Sequence, residues 1–196
     1  TLRHASKFGL SAAGIGYEAA EIQARKRELI ADFAGYRKAQ LEAGKFAFFR
    51  GRAVFESPHT LRVHPMDGAS TFVLHSRSFL IATGSVINRP EIPGIDLPGV
   101  WTSDDVLALE KFPESVVVLG AGPVGLESAH FFSAFGIPTT VLQRSPHVLR
   151  ASDPDVSDAL VQGIRARGTN LLTGVQLVRI EKDGALFVVS FTQEGR

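Results

Sequence analysis

A chain of 196 residues is long enough for one large domain or two small ones. With 44% hydrophobic and 21% charged residues, it has the balance of an ordinary globular protein rather than a disordered or membrane one. A net charge of +1 gives no general attraction for nucleic acid or an anionic membrane, and the absence of cysteine excludes disulfides, thiolate metal sites and cysteine nucleophiles within these residues.

No apolar run approaches the roughly 20 residues that a bilayer span requires. The opening TLRHASKFGLSAAGIGYEAAE has scattered charge and no compact apolar block before a cleavage site, so it does not read as a signal peptide, and a cytoplasmic location is expected. From Tyr17 to Glu42 the chain is rich in Ala, Glu, Lys, Arg and Leu. Leu29, Ile30, Phe33, Tyr36 and Leu41 recur at helical spacing, which predicts one long amphipathic helix, packed as a structural element and stopped near Gly44. From Phe46 to Ala82 the period shortens. FAFFRGRAVF, TLRV, TFVLH and SFLIATG, separated by SPH and PMDGA, predict a small antiparallel meander.

The Pro and Gly cluster RPEIPGIDLPG at residues 89–99 predicts a linker or domain crossing. Beyond it ESVVVLG predicts a buried strand, PVGLESAHFFSAFG a helix ending at Gly136, and PTTVLQ a second strand. Residues 153–167 predict a second helix, with Ser152 or Asp153 as its cap and Pro154 in its first turn. TNLLTG, VQLVRIEKD and ALFVVSFTQ supply three more strands. No internal repeat or low-complexity segment interrupts the pattern, and the alternation after residue 112 makes the chain an α/β protein.

Gly120, Gly122 and Gly125 form G-x-G-x-x-G directly after an apolar strand and directly before a helix. In that context the pattern predicts a dinucleotide-binding turn. Gly120 permits the tight turn, Gly122 lets the backbone approach a pyrophosphate, and Gly125 allows close helix and strand packing. The helix start then offers unpaired N–H groups and partial positive charge to the phosphates. Glu127 is read in the first turn of the same helix, where the dipole stabilises an acid by about 0.3 to 1 kcal/mol and where a bound nicotinamide would lie near.

The end of the second strand bears on cofactor choice. An acid there accepts hydrogen bonds from the ribose hydroxyls of NAD and repels the 2′-phosphate of NADP. Gln143 stands at that position, so the repulsion is absent, and Arg144 and Arg150 are suited to clamp a phosphate. Two charge-assisted bonds of about 1.5 kcal/mol each would favour NADP by roughly 3 kcal/mol, about a hundredfold. The alternatives are two solvated surface arginines, or an NADH site in which Gln143 holds the ribose. His147 reads as a loop histidine that adds charge near the phosphate when protonated.

Taken together, these motifs resemble the pyridine nucleotide-disulfide oxidoreductases. These are FAD flavoproteins that include glutathione reductase, dihydrolipoyl dehydrogenase, mercuric reductase and soluble transhydrogenase. FLIATGS at residues 79–85 resembles the family's second FAD segment, followed by IPGID and TSDDVLALE. VVVLGAGPVGLE is similar to its nicotinamide fingerprint, and RSPHVLR to the arginine pair of its NADPH-using members. The resemblance implies a partial FAD-binding domain over 1–112, made of the long helix and the meander. It also implies a Rossmann-like NAD(P)-binding domain over 113–196, βαβ plus a β-meander.

The same resemblance implies backbone contacts from Arg52 and Ala53 to the adenine side of FAD, with Thr83, Gly84 and Ser85 along the cofactor. It gives Glu127 a catalytic place, paired with a lysine close to the flavin, and sets Leu177 in the nicotinamide cleft. Pro123, before Val124, stands where glutathione reductase has a tyrosine lid, which argues against a close glutathione reductase. The family's first glycine loop, redox cysteine pair and His/Glu relay have no counterpart in these residues. TLRHASKFG looks like the segment after the cysteine pair, closest to soluble transhydrogenase, and TQEGR stops inside the β-meander, so the chain reads as an internal fragment. The implied parent is an NADPH-using FAD oxidoreductase and homodimer, with no nucleic-acid or membrane partner, that passes electrons to a small-molecule acceptor: a disulfide, a metal ion or a second nicotinamide. The isolated chain is expected to be inactive. A non-enzymatic NADP(H)-binding module and an NADH-using relative of dihydrolipoyl dehydrogenase are the rival readings.

Overall fold

The computed structural model describes residues 2–11, 13–14 and 16–193. It divides into two compact units, Thr1–Gln23 with Ile87–Arg196, and Ala24–Val86. Thr1, the first residue of TLRHASKFG, and residues 194–196, the last three of TQEGR, lie outside the described residues.

Helix α1, Ala19–Glu42, starts in the first unit and runs through the second. Its composition of strong helix formers accounts for its length. Side chains along it also bond one another: Arg37 donates to Gln40 at 2.9 Å, and Gln40 donates to the Tyr36 hydroxyl at 2.9 Å. The expectation of a packed amphipathic helix is corrected. Only Ala19 and Gln23 are buried, while Leu29, Ile30, Phe33, Tyr36 and Leu41 are all exposed. Spacing produces the stripe, but burial requires a partner surface, and no described element covers this one.

Strands β1 (Gly51–Ser57), β2 (Thr60–Pro65) and β3 (Phe72–His75) form the expected antiparallel sheet in the order β1-β2-β3. Gly51 opens it because a Cβ there would stand 2.6 Å from the carbonyl oxygen of His64 on β2. The fourth run, SFLIATG, is not a strand. A continuous apolar run is held as a strand when neighbours cover its edges and faces, yet no described strand pairs with it and Leu80 is 93% exposed.

In the other unit a short 3₁₀ helix, Leu2–Phe8, precedes α1. RPEIPGIDLPG is no free linker. Pro93 accepts the N–H of Ile180 at 2.8 Å, and Gly94 (φ +87°) lies so close that a Cβ would meet the Ile180 carbonyl oxygen. The turn-rich composition reported turns correctly; docking of those turns on a distant strand left no local signature. Helix α2, Ser103–Ala108, follows with a complete capping box between Thr102 and Asp105.

The βαβαβ alternation is as expected: β4 (Val116–Leu119), α3 (Pro123–Ala134), β5 (Thr139–Gln143), α4 (Pro154–Arg165) and β6 (Asn170–Thr173). The three strands are parallel with β5 central. Val117 on β4 is 42% exposed, so the strand expected to be buried is only half covered; the strand with a neighbour on each side, β5, is the buried one. Ala121, Leu126, Ala129, Val141, Val148, Ile164 and Leu171 make the core. Gly136 (φ +82°) ends α3 as read, and Asp153 stands at the N-cap of α4 with Pro154 behind it, although its side chain makes no capping bond. Strands β7 (Val175–Asp183) and β8 (Leu186–Gln193) form an antiparallel hairpin.

Candidate functional site

The three glycines of the β4–α3 turn have different physical reasons to be glycine. Gly120 has φ +98°, a conformation that L side chains rarely adopt, and its N–H donates to Leu142 on β5 at 2.8 Å. A Cβ on Gly125 would stand 2.2 Å from the carbonyl oxygen of Gly120 and 3.6 Å from Val118 on β4. Gly122 has neither constraint. Its φ is −76°, and nothing lies within 4 Å of where its Cβ would be. The protein itself does not require glycine there, whereas a ligand brought against the backbone would.

Gly122 is the N-cap of α3 and brings no side-chain cap, and Pro123 at the first helical position has no N–H to satisfy. The start of α3 is open, with Pro123 and Val124 exposed. Such a start suits an anion, so the turn fits the pyrophosphate of a dinucleotide.

The loop after β5 is attached to this turn at one peptide. Ala121, fully buried, donates its N–H to Gln143 Oε1 at 2.9 Å, and its carbonyl accepts the N–H of Leu149 at 3.0 Å. Gln143 Nε2 donates in turn to Ser145 Oγ and, at 3.2 Å, to the His147 carbonyl, which also accepts from Ser145 Oγ at 2.6 Å. The loop is held from two further sides: Gly174 donates to the Ser145 carbonyl at 3.2 Å, and Ser157 Oγ to that of the fully buried Val148 at 2.9 Å. Leu149 carries the one positive φ outside glycine among the described residues, +45°. A left-handed leucine costs on the order of 1–2 kcal/mol, and the surrounding bonds hold it there.

Arg144 and Arg150 project from this fixed loop into solvent. Both are exposed, and among the described residues neither makes an ion pair or side-chain hydrogen bond. His147 is exposed as well. Both ends of the Gln143 amide are engaged by the protein.

Glu127 is exposed, but it is not in the first turn. Helix α3 begins at Pro123 and carries no acid in that turn, so Glu127 is the fifth residue and the dipole account of it is withdrawn. Leu177 is half-buried on β7, paired with Phe191 beside a bulge. In the other unit, Arg52 and Ala53 lie on β1 opposite His64 and Val63, and Thr83, Gly84 (φ +74°) and Ser85 are exposed coil.

Sequence reasoning passed over Ala121, Ser145, Leu149, Ser157 and Gly174. Ser145 before a proline and Gly174 (φ +68°) carry turn signals; the others act through backbone groups or a long-range hydroxyl, which carry no motif.

A family model described as pyridine nucleotide-disulphide oxidoreductase matches residues 5–196. The chain is 29% identical over 189 residues to a mercuric reductase of Bacillus cereus, covering 96% of this chain and 29% of that protein. It is 28% identical over 188 residues to a dihydrolipoyl dehydrogenase of Bacillus subtilis (strain 168), covering 91% of this chain and 39% of that protein. The solved HOCl-induced flavoprotein disulfide reductase RclA from Escherichia coli matches with a TM-score of 0.76 at 27% identity, over 92% of this chain and 40% of that one. The chain therefore spans well under half the length of these relatives.

Proposed function

Because the chain belongs to the pyridine nucleotide-disulphide oxidoreductase family, we propose that it serves an NADPH-dependent FAD oxidoreductase, with 1–112 contributing to the FAD domain and 113–196 to the NAD(P) domain. When bound, the two cofactors supply the redox chemistry, a hydride passing from nicotinamide to flavin and electrons onward to a disulfide, a metal ion or a second nicotinamide. The chain's residues bind and orient. Gly120, Gly122 and Gly125, with Pro123 and Val124 at the helix start, receive the pyrophosphate. Arg144 and Arg150 hold the 2′-phosphate, Glu127 and Leu177 flank the nicotinamide end, and Arg52, Ala53, Thr83, Gly84 and Ser85 serve FAD.

The observation that carries the choice of NADPH is the attachment of the arginine-bearing loop to the glycine loop at Ala121, with both guanidinium groups unpaired. A phosphate-binding loop of this kind needs its backbone fixed and its cations free. Against the NADH reading, the Gln143 amide is already bonded to Ala121, Ser145 and His147 within the protein. No described helix is long and apolar enough to cross a membrane; a cytoplasmic homodimer is part of the proposal.

The test is the affinity of the chain for NADPH and NADH by calorimetry, in wild type and in Arg144→Ala/Arg150→Ala. We expect NADPH to be preferred by about a hundredfold, and the double variant to lose most of that preference with little change in NADH. An equal affinity of the wild type for both nucleotides would overturn the assignment. A colourless preparation that binds NADPH would favour the non-enzymatic module for this stretch, and a flavin absorbance band the oxidoreductase.

A further inference from the structure

We propose that Gln143 is a positioning residue for cofactor choice, a strut that couples the glycine loop to the arginine loop without touching the nucleotide. The proposal rests on the reading of residues 144–150 as the holder of the 2′-phosphate. The network leaves the amide only one orientation. Ala121 presents an N–H and requires the oxygen, while the His147 carbonyl accepts and requires the NH₂ group. Ser145 Oγ completes the ring by accepting from Gln143 and donating to the same carbonyl.

A strut in this place has to carry an acceptor at one end and a donor at the other, on a side chain long enough to span the strand tip. Glutamine does. A glutamate would still accept from Ala121, but its second oxygen would face the His147 carbonyl with no proton to share. A carboxylate at the strand tip would therefore repel a 2′-phosphate and also release the loop that carries Arg144 and Arg150. One amide thus removes the charge and closes the loop. Because Ala121 is fully buried, its N–H has no water to fall back on when the strut is removed.

The test uses Gln143→Met, similar in length without either hydrogen-bonding function, and Gln143→Glu as a second variant that keeps the acceptor. Two readouts are taken on the chain: amide hydrogen exchange at Ala121, and calorimetric affinities for NADPH and NADH. In Gln143→Met we expect faster exchange at Ala121 and a roughly tenfold fall in the NADPH-to-NADH affinity ratio, toward that of Arg144→Ala/Arg150→Ala. In Gln143→Glu we expect protection at Ala121 to persist while the NADPH preference falls, with no gain in NADH affinity. Unchanged exchange in Gln143→Met would overturn the strut. Equal weakening of both nucleotides would overturn the coupling to the arginine loop, and a tenfold gain for NADH in Gln143→Glu would show that the tip residue reaches the ribose. If the double arginine variant keeps the wild-type ratio while Gln143→Met still exposes Ala121, the phosphate-loop reading fails and the coupling with it, although the strut is real.

Discussion

The Cα of Gly125 faces the carbonyl oxygen of Gly120 so closely that an added Cβ would stand 2.2 Å from it. That approach seats α3 against β4, with Val118 3.6 Å from the same point. The third glycine of the motif is thus a packing requirement, separate from anything the loop binds.

Gly125→Ala should therefore destabilise the fold itself. The obstruction is backbone and cannot turn aside as a side chain would, so the loss is expected at the upper end of the usual range for overpacking, about 3 kcal/mol. Urea unfolding followed by circular dichroism measures it; a loss below about 1 kcal/mol would mean that α3 shifts freely over β4.

Gly122→Ala should separate ligand binding from stability. Its φ of −76° suits alanine and nothing lies within 4 Å, so the cost is expected to stay below about 1 kcal/mol, the range of a lost N-cap preference. Affinity for NADPH and NADH should fall together by tenfold or more, because both bring the same pyrophosphate to this backbone. Unaltered binding would remove Gly122 from the site.

Ser157→Ala should loosen the arginine loop from its far side. Ser157 Oγ donates to the carbonyl of Val148, and both residues are buried. An unmet buried acceptor costs about 1–3 kcal/mol. The expected result is a loss of that size on unfolding, with a weaker NADPH preference and an unchanged NADH affinity.

The start of α2 should respond to acid. The Thr102 backbone N–H, bonded to the Asp105 carboxylate at 2.7 Å, is the main cause that holds this group below its ordinary value, helped by the Thr102 hydroxyl and by Arg89. A depressed carboxylate contributes stability that is present above the unfolded value, about 3.9 for aspartate, and is lost as pH falls through the lower folded value. An NMR titration of the Asp105 carboxyl should show a midpoint below the ordinary value. Thr102→Ala keeps the backbone N–H and removes only the hydroxyl, so the midpoint should move upward in part, and a midpoint that stays put would leave the hydroxyl without a share in the shift.

The sequence alone determined the β4–α3–β5–α4–β6 order, the β7–β8 strands and the glycine turn. Those follow from period, caps and glycine spacing, which act over a few residues. It also exposed the lack of an acid at Gln143 and the two arginines beyond it. Other features depended on which distant groups approach. The tertiary structure turned the Gln143 amide inward to Ala121 and His147, docked Pro93 on Ile180, left the apolar stripe of α1 uncovered and left FLIATG without a strand partner. The physical reason is the same in each case. A side chain's hydrogen-bonding capacity and an apolar face are written in its own residue type, but the partner that satisfies or buries it is supplied by chain far away in sequence.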